Sequence, residues 1–177
     1  MKSKDCVIVL IIFVGNLILY LMKMLSMKSL VVTALLIFFT SISFAQTKVY
    51  NEKADAKKEL SLAVAKAKKE GKHVFAKIGG NWCPWCILFH NYTKDNANVH
   101  KTLEDNYVEV LISARENKKL LKELGNPGRF GYPVFVIIDA EGKVLHIQDS
   151  GLLEKGKGYD EKNVVRFLQN WSPAAVK

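Results

Sequence analysis

Between residues 55 and 171 the sequence alternates helical and extended patterns, and this alternation limits the folds that the chain can adopt. Apolar spacing and turn residues predict helices over 55–71, 83–92, 98–105, 116–124 and 160–171, and strands over 73–79, 107–113, 133–139 and 144–148. Because helices separate the first strands, those strands should pair in parallel, whereas the turn at 140–143 predicts an antiparallel hairpin. The sequence therefore predicts an α/β domain with a mixed central sheet and helices on both faces.

Two apolar runs, over 6–22 and 30–45, precede the predicted domain. The second follows a lysine at position 28 and ends in Ser-Phe-Ala at 43–45, a pattern typical of signal-peptide cleavage. Its apolar core is shorter than the roughly 20 residues that a membrane span needs. We therefore predict a signal peptide over 27–45, a linker over 46–54 and an exported domain over 55–177.

Residues 1–26 form a separate apolar leader, and two targeting-like segments in tandem are unusual. Our preferred interpretation is that Met24 or Met27 is the true start, so that the first stretch is an over-extended reading of the gene. The alternative is an uncleaved membrane anchor or a hairpin of two apolar segments. Both interpretations place the domain outside the cytoplasm, for example in a periplasm, or at the membrane.

The chain carries a formal net charge of +9, and its lysines are spread over predicted helices and turns. The densest run of lysines, at 66–72, is interleaved with alanines, which is typical of a solvated helix face. No interleaved aromatic residues and no nucleic-acid motif accompany this run, so we expect no nucleic-acid partner. The sequence also lacks a Gly-rich phosphate loop, and we expect no cofactor.

The sequence has three cysteines, and their positions indicate reactive chemistry. Cys6 lies in the leader, so the domain holds only Cys83 and Cys86, whereas a disulfide-stapled scaffold would hold several more. At a helix start, unpaired N–H groups and the helix dipole should lower the pKa of Cys83 and favour the thiolate that attacks disulfides. We therefore predict that Cys83 is the nucleophile and that Cys86, one turn further on, resolves the mixed disulfide.

The motif Trp82-Cys83-x-x-Cys86 directly follows a predicted strand, and Tyr132-Pro133 begins another strand about 50 residues later. In these positions the motif resembles that of the thioredoxin family, and the resemblance extends from about residue 55 to 171. It implies a thioredoxin-like fold and disulfide exchange with protein substrates. It also implies that Pro133 is a cis-proline beside the pair and that the backbone of Tyr132 is free to bind an extended substrate segment.

Two tryptophans flank the cysteines. The resemblance implies that Trp82 and Trp85 provide a hydrophobic contact surface for substrate, and packing within the domain is the alternative for both. The dipeptide Pro84-Trp85 replaces the Gly-Pro that is common in thioredoxins. This dipeptide tunes the reduction potential, and the sequence leaves the direction of the redox reaction open.

Lys77 departs from the family pattern. Thioredoxins usually have a buried aspartate at this position of the strand, and it assists proton transfer to the resolving cysteine. A lysine that points inward would favour thiolate, whereas a lysine that reaches solvent would have little effect. Glu59, Glu70 and His90 are the nearest candidates in the sequence for the missing proton-transfer role.

His90 lies four residues after Cys86, so both should share one face of a helix. A Cys–Cys–His cluster could bind zinc or copper, but no fourth ligand is evident, and we expect no metal. A packed or surface histidine is the simplest interpretation, and a modest influence on the pKa of Cys86 is the next. A copper-handling protein of thioredoxin fold, using Cys83, Cys86 and His90, is the alternative functional hypothesis.

Our leading hypothesis is an exported thiol–disulfide oxidoreductase that acts on protein disulfides. The domain lacks the inserted helical domain of the dedicated oxidants that it resembles, and it lacks a dimerisation domain suited to an isomerase. These absences favour a monomeric reductase. An exported reductase needs electrons from across the membrane, so we expect a membrane thiol-reductant donor as its partner.

Overall fold

The computed structural model describes residues 15–20, 22–24 and 48–176 of the 177-residue chain. The chain divides into two compact units, Met1–Gln46 and Thr47–Lys177. In the first unit, the described residues are helical and exposed, and the predicted signal peptide over 27–45 lies outside the described residues, as does most of the predicted leader. None of the helices among the described residues is both long and apolar enough to cross a membrane.

The second unit confirms the predicted order of helices and strands. Its helices are α1 (Ala56–Glu70), α2 (Pro84–Asp95), α3 (Ala97–Asn106), α4 (Lys118–Glu123) and α5 (Glu161–Asn170). Its strands are β1 (His73–Gly79), β2 (Tyr107–Ser113), β3 (Val134–Ile138), β4 (Val144–Asp149), β5 (Glu154–Lys155) and β6 (Gly158–Tyr159), with short 3-10 helices over Pro127–Phe130 and Ser150–Leu153.

The four longer strands form one mixed sheet in the order β2-β1-β3-β4. Strand β1 pairs in parallel with β2 and antiparallel with β3, and β4 completes an antiparallel hairpin with β3. The short strands β5 and β6 pair with each other. These pairings confirm the predicted α/β fold with a mixed central sheet.

Two apolar cores lie on opposite faces of this sheet, as expected for side chains that alternate along each strand. One face packs against α1 and α4 through residues such as Ala67, Ile78 and Leu121. The other face packs against α2, α3 and α5, and its centre is aromatic, with Phe75, Phe89 and Phe135 fully buried. Helices therefore cover both faces, as the sequence predicts.

Local sequence signals explain where α2 begins and ends. Cys83 caps its N-terminus and Pro84 occupies the first turn, where a missing N–H leaves no hydrogen bond unmade. The helix runs three residues beyond the predicted end at residue 92, as far as Asp95. It stops at Asn96, whose side chain accepts a hydrogen bond from Val99 N and so caps the start of α3.

The segment predicted as a linker, over 46–54, is part of the packed domain at Val49 and Tyr50. Both backbone N–H groups donate to Asn81 Oδ1 at 2.9 Å, and Asn81 Nδ2 donates to the Tyr50 carbonyl at 2.8 Å. The amide of Asn81 thus pairs with this backbone much as a neighbouring strand would. Tyr50 is only 3% exposed as a result.

We expect Asn81→Ala to lower the free energy of unfolding by about 1–3 kcal/mol, because partly buried backbone groups lose their partners. Urea unfolding of the oxidised protein measures this change. Asn106→Ala is the matched control, since the Asn106 amide donates one turn back to the Thr102 carbonyl within α3. Equal effects of the two substitutions would show that Asn81 does not hold the segment.

Candidate active site

Cys83 and Cys86 are joined by a disulfide at the start of α2, with their Cα atoms 5.3 Å apart. The Cys83 sulfur accepts a hydrogen bond from the backbone N–H of Cys86 at 3.2 Å. Both cysteines are buried, Cys83 with 5% and Cys86 with 1% of its surface exposed. The structure therefore places both cysteines of the motif in one site, with Cys83 at the helix terminus.

Gly79, the last residue of β1, allows Cys86 to lie directly against the strand. A Cβ atom at Gly79 would collide with Cys86 Sγ and would come within 3.0 Å of the Tyr50 hydroxyl. Because Gly79 has no side chain, the Cys86 sulfur can occupy the space beside the strand that a Cβ atom would fill. The missing side chain also brings the sulfur and the Tyr50 hydroxyl to the same point of the strand.

Tyr50 belongs to the buried cluster of the two cysteines, around which Val49, Trp85, Ile87, Leu111 and Tyr132 are partly buried. Burial raises the pKa of Tyr50 above its usual value, so its hydroxyl keeps its proton at neutral pH. The site therefore contains a phenol that can donate a hydrogen bond close to Cys86. Tyr50 is a site residue that the sequence did not predict, because the segment around it carries no helical or strand pattern.

The two tryptophans have different environments. Trp82 is 36% exposed, and its ring lies edge-on to Tyr132 with centroids 5.5 Å apart. Trp85 is half-buried and lies edge-on to Tyr159 at 5.7 Å, while the Tyr159 hydroxyl donates to the Trp85 carbonyl. Trp82 thus offers a surface beside the disulfide, whereas Trp85 mainly packs inside the domain.

Tyr132 and Pro133 also lie at the site. The peptide bond between them is cis, and Tyr132 packs against the cluster of Tyr50, Cys83 and Cys86. Strand β3 begins at the next residue, so this dipeptide is held at the end of the sheet that carries the disulfide. Substrate binding by Tyr132 and Pro133 stays a prediction.

Lys77 points into the domain and is only 4% exposed. Its ammonium group forms an ion pair with the carboxylate of Glu109 on β2, whose side chain is 35% exposed. Lys77 and Gly79 are two residues apart on β1 and so share the face that α2 covers. The charge of Lys77 is therefore balanced by a carboxylate that the sequence analysis did not single out.

The other acidic candidates are not brought to the disulfide. Glu59 and Glu70 lie on α1, which packs on the opposite face of the sheet from α2. Glu70 forms ion pairs with Lys66 and Lys72 there. Neither glutamate takes the place of the family's buried acid.

His90 is half-buried on α2, and within the described part of the chain its buried Nδ1 atom has no hydrogen-bond partner. Burial, together with the positive charges of Lys77 and Lys94, lowers the pKa of His90 to about 4, although Glu109 acts in the opposite direction. His90 is therefore neutral at physiological pH. Among the described residues, no three His, Cys, Asp or Glu side chains are grouped so as to hold a metal ion, and the copper hypothesis gains no support.

We expect His90 to make the oxidised protein less stable in acid. The unfolded histidine binds its proton near pH 6.5, whereas the folded one binds it near pH 4. The free energy of unfolding should therefore fall as the pH drops from about 6.5 to 4, because only the unfolded chain takes up this proton. Urea unfolding at a series of pH values, compared between wild type and His90→Asn, measures the effect.

An NMR titration of the His90 imidazole gives an independent check. The midpoint of this titration should lie well below pH 6.5. The difference in the free energy of unfolding between wild type and His90→Asn should change with pH only between the two pKa values. A midpoint at or above 6.5 would contradict the burial argument.

Comparisons with known proteins agree with this geometry. Residues 55–140 match the model of a family described as thioredoxin-like. A 90-residue stretch, 49% of the chain, is 32% identical to thiol:disulfide interchange protein DsbD of Yersinia enterocolitica, and covers 15% of that protein. A 54-residue stretch, 30% of the chain, is 33% identical to spermatogenesis-associated protein 20 of Rattus norvegicus, and covers 7% of it.

A solved structure shows the same fold over most of the chain. The disulphide isomerase of Xylella fastidiosa Temecula1 superposes with a TM-score of 0.63 and 23% sequence identity, covering 71% of this chain and 98% of that one. This likeness concerns the fold, and the two sequence relatives are matched over only a small part of their own length. The domain that carries the Cys83–Cys86 disulfide is therefore a thioredoxin-like domain.

Proposed function

We propose that this protein is a thiol–disulfide oxidoreductase that exchanges disulfides with protein substrates through Cys83 and Cys86. The observation that carries the proposal is the disulfide itself, formed across the first turn of α2 with Cys83 as the helix cap. Exposed Trp82 and the Tyr132-Pro133 dipeptide lie beside it. A purely structural disulfide would not need this position at a helix terminus.

In the reduced protein, the Cys83 thiolate attacks one sulfur of a substrate disulfide. A bond forms between Cys83 and that sulfur, and the other substrate sulfur leaves as a thiolate. The Cys86 thiolate then attacks the Cys83 sulfur, which releases the second substrate thiol and forms the Cys83–Cys86 disulfide. Two electrons pass from the dithiol to the substrate, so the substrate is reduced and the protein is oxidised.

The geometry supports these roles for the two cysteines. The N–H of Cys86 and the N-terminus of α2 stabilise negative charge on the Cys83 sulfur. Cys86 is the more buried of the two and is enclosed by Gly79 and Tyr50, so an incoming disulfide reaches Cys83 first. This burial favours attack by Cys86 on the Cys83 sulfur of the mixed disulfide over attack on an incoming substrate disulfide.

We further propose that the protein is an exported reductase that receives electrons from a thiol donor at the membrane. The predicted signal peptide over 27–45 supports export. Residues 48–176 form a single domain without an inserted helical domain, which supports reduction over dedicated oxidation. The relative in Yersinia enterocolitica is a thiol:disulfide interchange protein, which agrees with this chemistry.

We expect Cys83→Ser to abolish the reduction of insulin disulfides, because no thiolate remains to attack. Cys86→Ser should instead accumulate mixed disulfides between Cys83 and substrate proteins, visible on non-reducing gels and lost on adding dithiothreitol. The double serine variant is the control for background binding. Full turnover by Cys86→Ser would overturn the assignment of Cys86 as the resolving thiol.

The reduction potential of the Cys83–Cys86 couple tests the direction of the reaction. A reductase should have a potential near that of thioredoxin, about −270 mV. Equilibration with glutathione or dithiothreitol mixtures, followed by thiol alkylation and mass spectrometry, measures this value. A potential above about −150 mV would overturn the reductase proposal while leaving disulfide exchange intact.

A further inference from the structure

A cleft of about 520 Å³ opens beside the disulfide. Trp82 and Tyr132, which form part of the site, line one part of it. The region after β2, helix α4 and the 3-10 helix over Pro127–Phe130 supply the rest of its lining. A protein segment whose disulfide reaches Cys83 would therefore continue naturally into this cleft.

The cleft is lined by four cationic side chains, those of Arg115, Lys118, Lys122 and Arg129. None of its lining residues is acidic. In the part of the chain that the structure describes, none of the four forms an ion pair with a carboxylate. On α1, by contrast, Lys57, Lys66 and Lys68 each have a glutamate partner. The cleft thus concentrates four positive charges that no carboxylate of the described residues pairs within 4.0 Å.

Two of these cations are held in place. The guanidinium of Arg115 lies 4.2 Å from the centroid of the Trp82 ring. Arg129 lies 4.5 Å from the Phe130 ring and donates to the backbone carbonyls of Gly125 and Asn126. Guanidinium groups fixed in this way bind carboxylates with little further loss of side-chain freedom.

We propose that this cleft selects substrates in which acidic residues flank the target cysteine. The inference rests on the proposed disulfide exchange and adds a substrate class to it. Carboxylates of the substrate segment bind Arg115, Lys118, Lys122 and Arg129 while its disulfide contacts Cys83. Positive charge on a concave wall also steers an acidic segment towards the site and raises its association rate, an effect that salt weakens.

The test uses the full chain in its reduced form. Three disulfide-linked reporter peptides differ only in the residues next to the cysteine, which are two aspartates, two asparagines or two lysines. The second-order rate of reduction should be about tenfold higher for the aspartate peptide than for the lysine peptide at low salt. This ratio should shrink towards one in about 0.5 M NaCl, where screening is strong.

A pair of double variants locates the discrimination. Lys118→Gln/Lys122→Gln should lose most of the preference for the aspartate peptide. Lys69→Gln/Lys162→Gln removes the same charge from exposed positions on α1 and α5 and should keep the preference. If both variants lose the preference for the aspartate peptide equally, the preference depends on net charge, and the proposal that the cleft selects the substrate is wrong.

The possible failures are distinguishable. If the asparagine peptide is reduced but the aspartate and lysine peptides react at equal rates, this inference fails and the proposed function stands. If no peptide is reduced, both fail. If phosphatidylglycerol vesicles bind the wild type but not Lys118→Gln/Lys122→Gln, and the peptides react alike, the cleft serves a lipid surface and the inference is overturned.

Discussion

The approach of Cys86 to the end of strand β1 is the contact on which the site depends. Gly79 has no side chain, so the Cys86 sulfur lies directly against the strand. One turn further along α2, the Phe89 ring packs at a tilt against Phe135 with ring centroids 4.2 Å apart, and it also packs against Phe75. These two contacts fix α2 against the sheet, and the fixed helix holds Cys83 at its exposed terminus. The reactive position is therefore a consequence of how the aromatic core packs.

Sequence patterns predicted most of this framework because its elements are long and periodic. All seven residues of β1 are buried, as expected for a central strand with helices on both sides. Tyr50 was missed for a physical reason. It is held by the side chain of Asn81, 31 positions away, and such a side-chain-to-backbone pairing leaves no periodic signal. Glu109 was missed because its contact with Lys77 depends on the register between β1 and β2, which pairs Lys77 with Leu111.

The two tryptophans of the motif differ in burial, although their positions in the sequence predict the same role for both. Both flank Cys83, yet the first is an exposed wall of the cationic cleft and the second joins the aromatic core through Tyr159. Tyr132 links the two regions, since it contacts both Trp82 and the cluster of cysteines. The disulfide is thus bounded by a rigid aromatic core on one side and by a charged, open surface on the other.

The charge arrangement beneath Cys86 also differs from the buried aspartate typical of thioredoxins. Lys77 holds a buried positive charge, and the half-exposed carboxylate of Glu109 compensates it. Taking such a pair out of water costs free energy, which the close contact of the two charges offsets. The ammonium group of a lysine has donor hydrogens and no acceptor, so this ion pair does not reproduce the chemistry of a buried aspartate. The raised pKa of Tyr50 keeps its hydroxyl protonated and makes it a donor, whereas the neutral imidazole of His90 on α2 also offers an acceptor nitrogen.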